Sequence, residues 1–185
     1  MEKERVIVGI SGASGAILGI RLLEVLSKYD LETHLVLSDA GKRTIELETN
    51  WKIKEVEALA TKVHDFTNIG SSIASGSFKT KGMIIIPCSI KTLSAIAYSF
   101  NTNLLIRAAD VVLKERRKLV LVLREMPLAV SDVSTFLYQK VFISMKPDAL
   151  NSILGAWAKA VALKARTSSP NKHSVITFFI SFPPQ

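Results

Sequence analysis

The stretch "RVIVGISGASGAILGIRLLEVLS", Arg5 to Ser27, decides the fold. Residues 5–10 are a nearly continuous β-branched run, the pattern of a strand covered on both faces. From Gly12 to Ser27 the apolar residues recur at 16, 17, 20, 22, 23 and 26, which is a helical period. Between the two, glycines at 9, 12, 15 and 19 mark a strand-to-helix turn. Either the backbone turns sharply there, or it passes close to something that a Cβ would block.

The same alternation continues outward. "ETHLVLS" (32–38) reads as a second strand, followed by helical stretches at 39–49 and 53–60. "GMIIIPCS" (82–89) is a third strand, "KTLSAIAYS" a short helix, "NLLIRAADVVLKERR" (103–117) a longer helix and "KLVLVLRE" (118–125) a fourth strand. Val- and Ile-rich strands separated by helices predict right-handed crossovers and a three-layer α/β/α domain with a parallel sheet, Rossmann-like in plan. Ligands of such sheets bind beyond the carboxyl ends of the strands. Four turns fall there, "SGASG", "SDAG", "PCSIKT" and "REMP".

Composition limits the class of protein. At 185 residues and 48% apolar content, one globular domain is expected. No run approaches the roughly 20 apolar residues of a membrane span, and the N-terminus lacks the pattern of a signal peptide. A soluble, cytoplasmic protein is expected. One cysteine, Cys88, leaves no internal disulfide and no cysteine-cluster metal site, and no metal is expected. The net charge of +8 is spread among acids, as in "KERRK", which argues against nucleic acid and suits an anionic small molecule.

The glycine turn is neither the dinucleotide fingerprint nor a phosphate loop. Its free N–H groups, with the hydroxyls of Ser11 and Ser14, can cradle an anion, or the turn is simply tight and closely packed. Ser38 is a candidate helix cap, and Asp39 sits one residue late for the acid that holds a ribose. The turn after the third strand presents Ser89, Ile90, Lys91 and Thr92, with two hydroxyls, an ammonium and backbone donors together. Cys88 reads as a packed thiol, since no histidine lies near it in sequence. Arg107 and Lys114, seven residues apart, share a helix face and can address one phosphate, or Lys114 belongs to a solvated charge run. Glu48 is a helix-end acid; Arg124 and Glu125 end the fourth strand. His34 sits mid-strand as a satisfied side chain, and no pair among His34, His64 and His173 has metal-ligand spacing.

Taken together, "VGISGASGAILGIRLLEVL", "ETHLVLSDAGKRTIELET", "SSIASGSF", "GMIIIPCSIKTLSAIA" and "RAADVVLKERRKLVLVLREMPL" resemble the UbiX-type flavin prenyltransferases over about residues 5–128. The resemblance implies a flavodoxin-like sheet in a metal-independent homo-oligomer, typically a dodecamer. It implies that reduced FMN receives a dimethylallyl group from dimethylallyl phosphate at N5 and C6. The product, prenylated FMN, would serve a UbiD-type decarboxylase in ubiquinone synthesis or aromatic acid breakdown. The family's FMN contacts fall on Gly12, Ala13, Ser14, Ser38, Ser89, Ile90, Lys91, Thr92 and Arg124. Its catalytic and prenyl-phosphate residues fall on Ser14, Glu48, Arg107, Lys114 and Glu125.

After "REMPL" the pattern departs. Residues 129–185 hold one glycine, no glutamate and six Lys/Arg against two Asp. The tyrosine and basic residue that close the family's prenyl-phosphate site from a neighbouring subunit have no counterpart in the tail, and Tyr138 stands in the wrong surroundings. The chain thus divides into an FMN-binding domain (1–128) and an atypical C-terminal segment (129–185), the product of a shifted reading frame or of divergence. Within the segment, 147–166 reads as an amphipathic helix and "SVITFFISF" as a strand. The alternative function is an FMN-binding member of the family that does not transfer a prenyl group; a cysteine decarboxylase, which wants a catalytic histidine, is more distant.

Overall fold

A computed structural model describes residues 3–123 and 176–180. Its strands are β1 (Glu4–Ile10), β2 (Leu31–Leu37), β3 (Lys62–His64), β4 (Gly82–Ile85), β5 (Lys118–Leu123) and β6 (Ile176–Ile180). Its helices are α1 (Ala16–Leu26), α2 (Asp39–Glu48), α3 (Ile53–Ala58), α4 (Ile90–Ala97) and α5 (Leu104–Lys114), with a 3-10 turn at Ser72–Ala74. The sheet order is β3-β2-β1-β4-β5-β6. The first five strands are parallel, and β6 pairs antiparallel with β5, Val120 opposite Phe179. The parallel three-layer expectation holds, with an antiparallel strand added at one edge.

Alternation along the strands fills two cores. Val8, Ile10, Leu35 and Leu37 pack with α1, α2 and α3, while Ile7, Val36, Met83 and Ile85 face α4, α5 and the 3-10 turn. Cys88 is fully buried in the second core, as a packed thiol should be. The chain passes from β1 outward through β2 to β3, then returns to the other side of β1 with β4. The strand order therefore reverses between β1 and β4, the place where a parallel sheet opens a crevice at its carboxyl ends.

Several boundaries shift. The first helix begins at Ala16, because Gly15 stands at φ +96°, a left-handed conformation that suits glycine and leaves residues 12–15 as a loop. The third strand ends at Ile85, and β5 at Leu123. The strand β3 and the 3-10 turn were not anticipated. The expected helix at 147–166 lies outside the described residues, as does the composition change at 129; the expected C-terminal strand is present as β6.

Candidate functional site

Three of the four expected turns meet. Ser11 N–H and its hydroxyl both donate to the Pro87 carbonyl, at 3.1 and 2.9 Å, and the hydroxyl accepts from Ser89 N–H at 2.8 Å. Ser38 N–H donates to the Ile10 carbonyl at 3.0 Å. A Cβ on Gly12 would run into Ala40, and one on Gly41 would meet the Ile10 carbonyl. Thus the glycine at position 12 answers a close approach, but the neighbour is the start of α2. Ser11, expected to help cradle an anion, is instead 1% exposed and spent as a strap between the first and third turns. The fourth turn, with Arg124 and Glu125, lies outside the described residues.

Around this knot the predicted site residues have distinct settings. Ala13 is buried, Gly12 half-buried and Ser14 exposed. Ser38 caps α2, accepting from Gly41 N–H at 2.9 Å. Ser89 caps α4: its hydroxyl lies 3.3 Å from Thr92 N and 3.0 Å from Thr92 Oγ1. The N–H groups of Ile90 and Lys91 stand in the first turn of α4, where a helix offers them no internal acceptor. Helix α1 has no side-chain cap on its own chain segment; Glu48, the last residue of α2, reaches across so that Gly15 N–H donates to its Oε2 at 2.7 Å. A carboxylate there is favoured by the positive end of α1.

The two cations on α5 stand two turns apart. Leu104 N–H donates to the Phe66 carbonyl in the loop just beyond β3, so α5 starts on the carboxyl-end side of the sheet. It ends beside the turn into β5, whose first residue Lys118 pairs with Gly82, the first of β4. Arg107, one turn in and half-exposed, stands 3.9 Å from Asp110. Lys114 is at the far end, a rise of about 10 Å away, and faces Glu115 at 3.5 Å. Seven residues restore the helix face, so the two cations share that face two turns apart, each beside an acidic neighbour of its own chain.

One functional feature escaped the sequence. His34 on β2 and His64 on β3 are 1% and 6% exposed, with Nδ1 of His34 2.8 Å from Nε2 of His64. His64 Nδ1 lies 2.6 Å from the Ser71 hydroxyl. His34 Nε2 is 3.1 Å from Glu32 Oε1, close but off-axis for a hydrogen bond. Burial pushes both imidazoles below their ordinary value, His64 to about 4. His34 is thus a core histidine, with Nδ1 paired to another histidine and Nε2 beside Glu32 without an aligned hydrogen bond. The signal was a histidine amid the apolar residues of a strand buried on both faces, which requires a buried partner. Among the described residues no group of three or more His, Cys, Asp or Glu could hold a metal ion.

Comparisons with known proteins agree with this fold. The flavoprotein family model matches residues 1–168. The flavin prenyltransferase UbiX of Thauera aromatica is 68% identical over 124 residues, covering 67% of this chain and 64% of that protein. The flavin prenyltransferase UbiX of Escherichia coli K12 is 62% identical over 126 residues, covering 68% and 67%. The chain thus spans about two thirds of the length of these curated relatives. Among solved structures, AnUbiX in complex with FMN and dimethylallyl pyrophosphate superposes with a TM-score of 0.74 at 35% identity, over 94% of this chain and all of that one. A dodecameric FMN-dependent UbiX-like decarboxylase from Escherichia coli O157:H7 gives 0.73 at 39% identity, over 91% and 99%.

Proposed function

The chain belongs to the flavoprotein family and, within it, to the UbiX-type flavin prenyltransferases, and we propose that it transfers a dimethylallyl group from dimethylallyl phosphate to reduced FMN. The observation that carries the reading is the Glu48 carboxylate on Gly15 N–H: the start of α1 already receives an anion, beside the exposed Ser14 and across from the donor-rich turn at 89–92. These residues fit a flavin mononucleotide. Ser89, Thr92 and the amides of Ile90 and Lys91 would hold its phosphate, with Gly12, Ala13 and Ser38 lining the approach and Arg124 assigned as a further contact.

Reduced FMN, when bound, supplies the N5 and C6 nucleophiles. The chain's own residues supply the rest. Breaking the allylic C–O bond leaves charge on the departing phosphate, and Arg107 stabilises that charge as it develops. Ser14 donates to the same phosphate. Glu48, exchangeable because its grip on Gly15 is at the surface, accepts a proton released as the new bonds form, and Glu125 shares that task. Exclusion of water would protect the cation-like prenyl group from capture.

Lys114, two turns further along α5 than Arg107, is assigned in this scheme to a phosphate held by a second copy of the chain. Exposed Tyr98 (62%) and Phe100 (66%), immediately before α5, support such a copy-to-copy contact. We propose a homo-oligomer of the family's dodecameric type, working in the cytoplasm and passing prenylated FMN to a UbiD-type decarboxylase. Among the described residues no helix is long and apolar enough to cross a membrane. The test is transfer itself: anaerobic incubation with reduced FMN and dimethylallyl phosphate should yield a flavin heavier by one prenyl unit. Bound FMN of unchanged mass would contradict the reading and favour a flavin-binding protein without turnover.

A further inference from the structure

Residues 65–78 run beside α5 as a splint. The Phe66 carbonyl accepts the Leu104 N–H at the helix start, 2.9 Å away. Ile73, in the 3-10 turn, is buried in the same core as Leu105, Ala109 and Val112. Beyond the helix end, Arg117 donates from Nη1 to the Phe78 carbonyl and from Nη2 to the Gly76 carbonyl, both at 2.7 Å. Whatever fixes this segment to the sheet therefore also fixes α5.

The fixing contact is the histidine pair. The network assigns the protons. The Ser71 hydroxyl donates to His64 Nδ1, His64 Nε2–H donates to His34 Nδ1, and the remaining His34 N–H faces Glu32. Both rings are neutral in this arrangement, and the pair shares one proton. The rings stack at 5.1 Å, with Phe78 edge-on to His34 at 5.0 Å. The charged groups bearing on them are Glu32 on β2, Arg5 on β1 and Lys62 on β3. Glu32 is already engaged by Arg5 Nε at 2.9 Å, and Arg5 also covers the Phe78 ring at 4.7 Å. A further proton would set a cation among two cations and one committed carboxylate, in a space nearly closed to water. Once residues 65–78 lift away, that penalty vanishes.

We propose that His34 and His64 are positioning residues that latch the 65–78 splint through one shared proton, so that acid opens the splint and displaces α5 together with Arg107. The consequence for catalysis rests on the reading of Arg107 as a phosphate ligand; the latch itself does not.

Hydrogen exchange read by mass spectrometry on the full chain, corrected for intrinsic rates, separates the two. Between pH 7 and pH 5, opening of the amides in 65–78 and in the first turn of α5 should rise roughly 20-fold, the factor for one imidazole whose value is 6.5 when freed and about 4 when latched. In His64→Gln the same change in pH should move opening clearly less than in the unaltered chain, since only His34 is left to take up a proton. No rise in the unaltered chain, or an equal rise in His64→Gln, would overturn the latch. Should His64→Gln fail to fold, proton NMR of the imidazoles in the unaltered chain decides: two rings still neutral below pH 6 support the latch, and either ring titrating near 6.5 in the folded state overturns it. In parallel, KM for dimethylallyl phosphate should climb toward pH 5 in the unaltered chain with kcat less affected, and climb less in His64→Gln. Exchange that behaves as expected while KM stays flat would leave the latch standing and remove Arg107 from the phosphate.

Discussion

The two ends of α5 are held by different chemistry. At its start, Asn103 caps the helix, Phe66 receives its first N–H, and Arg107 stands half-exposed with a loose acidic neighbour at 3.9 Å. At its end, Arg116 takes a left-handed turn at φ +53° and Arg117 clamps two carbonyls, while Lys114 projects into solvent. The first end is arranged to exchange partners beside its own crevice. The second is fixed in its backbone and presents a cation away from that crevice. In the proposed function the two ends serve different places, Lys114 being the one offered to another copy.

The sharpest way to break this comparison is to remove each cation alone. Arg107→Ala and Lys114→Ala should each lower the rate of prenyl transfer by about 10²- to 10³-fold, the usual cost of a lost donor to developing charge, while FMN affinity, read by fluorescence titration, stays nearly unchanged. Loss of FMN binding in Arg107→Ala would place that residue in the flavin site instead.

Next in size is the clamp. Arg117→Ala removes two charge-assisted hydrogen bonds from a half-buried guanidinium and should cost roughly 2–3 kcal/mol in a denaturant titration. The same change should loosen the amides of 75–78 before those around Gly15. A uniform loss across the chain would mean that the two ends of α5 are not separately held.

Acid probes the splint that joins the ends. Both buried imidazoles are pushed below their ordinary value in the folded chain, so between about pH 4 and 6.5 the unfolded chain binds more protons. Stability should therefore be full above pH 6.5 and decline as pH falls through this window, in a thermal-melting series, with a flatter decline in His64→Gln. Smallest is Ser89→Ala, which deletes the cap of α4 and should cost about 1 kcal/mol; a larger fall in FMN affinity than in stability would mark the hydroxyl as a flavin contact.

The elements of the fold and of the site differ in how far they are legible in the sequence. β1, β2, β4 and β5 announce themselves as apolar runs rich in Val, Ile and Leu, and the glycine turn at 12–15 as a breaker, because strands buried on both faces and left-handed residues impose narrow residue choices. β3 does not: three residues, Lys62, Val63 and His64, with two of them exposed, give no period to detect. The role of Ser11 was hidden because its hydroxyl bonds to residues more than 75 positions away. The His34–His64 contact depends on β2 pairing with β3, and Lys114's distance from Arg107's crevice depends on which way α5 runs; periodicity carries neither.

The central claim is that the crevice is half of a site that a second copy completes. It is tested most directly by co-expressing Arg107→Ala and Lys114→Ala chains and assaying prenyl transfer in the mixed assembly. If each site takes Arg107 from one copy and Lys114 from another, about a quarter of the sites in a random mixture are intact, and activity should return far above that of either variant alone. Activity no higher than that of the separate variants would contradict the claim.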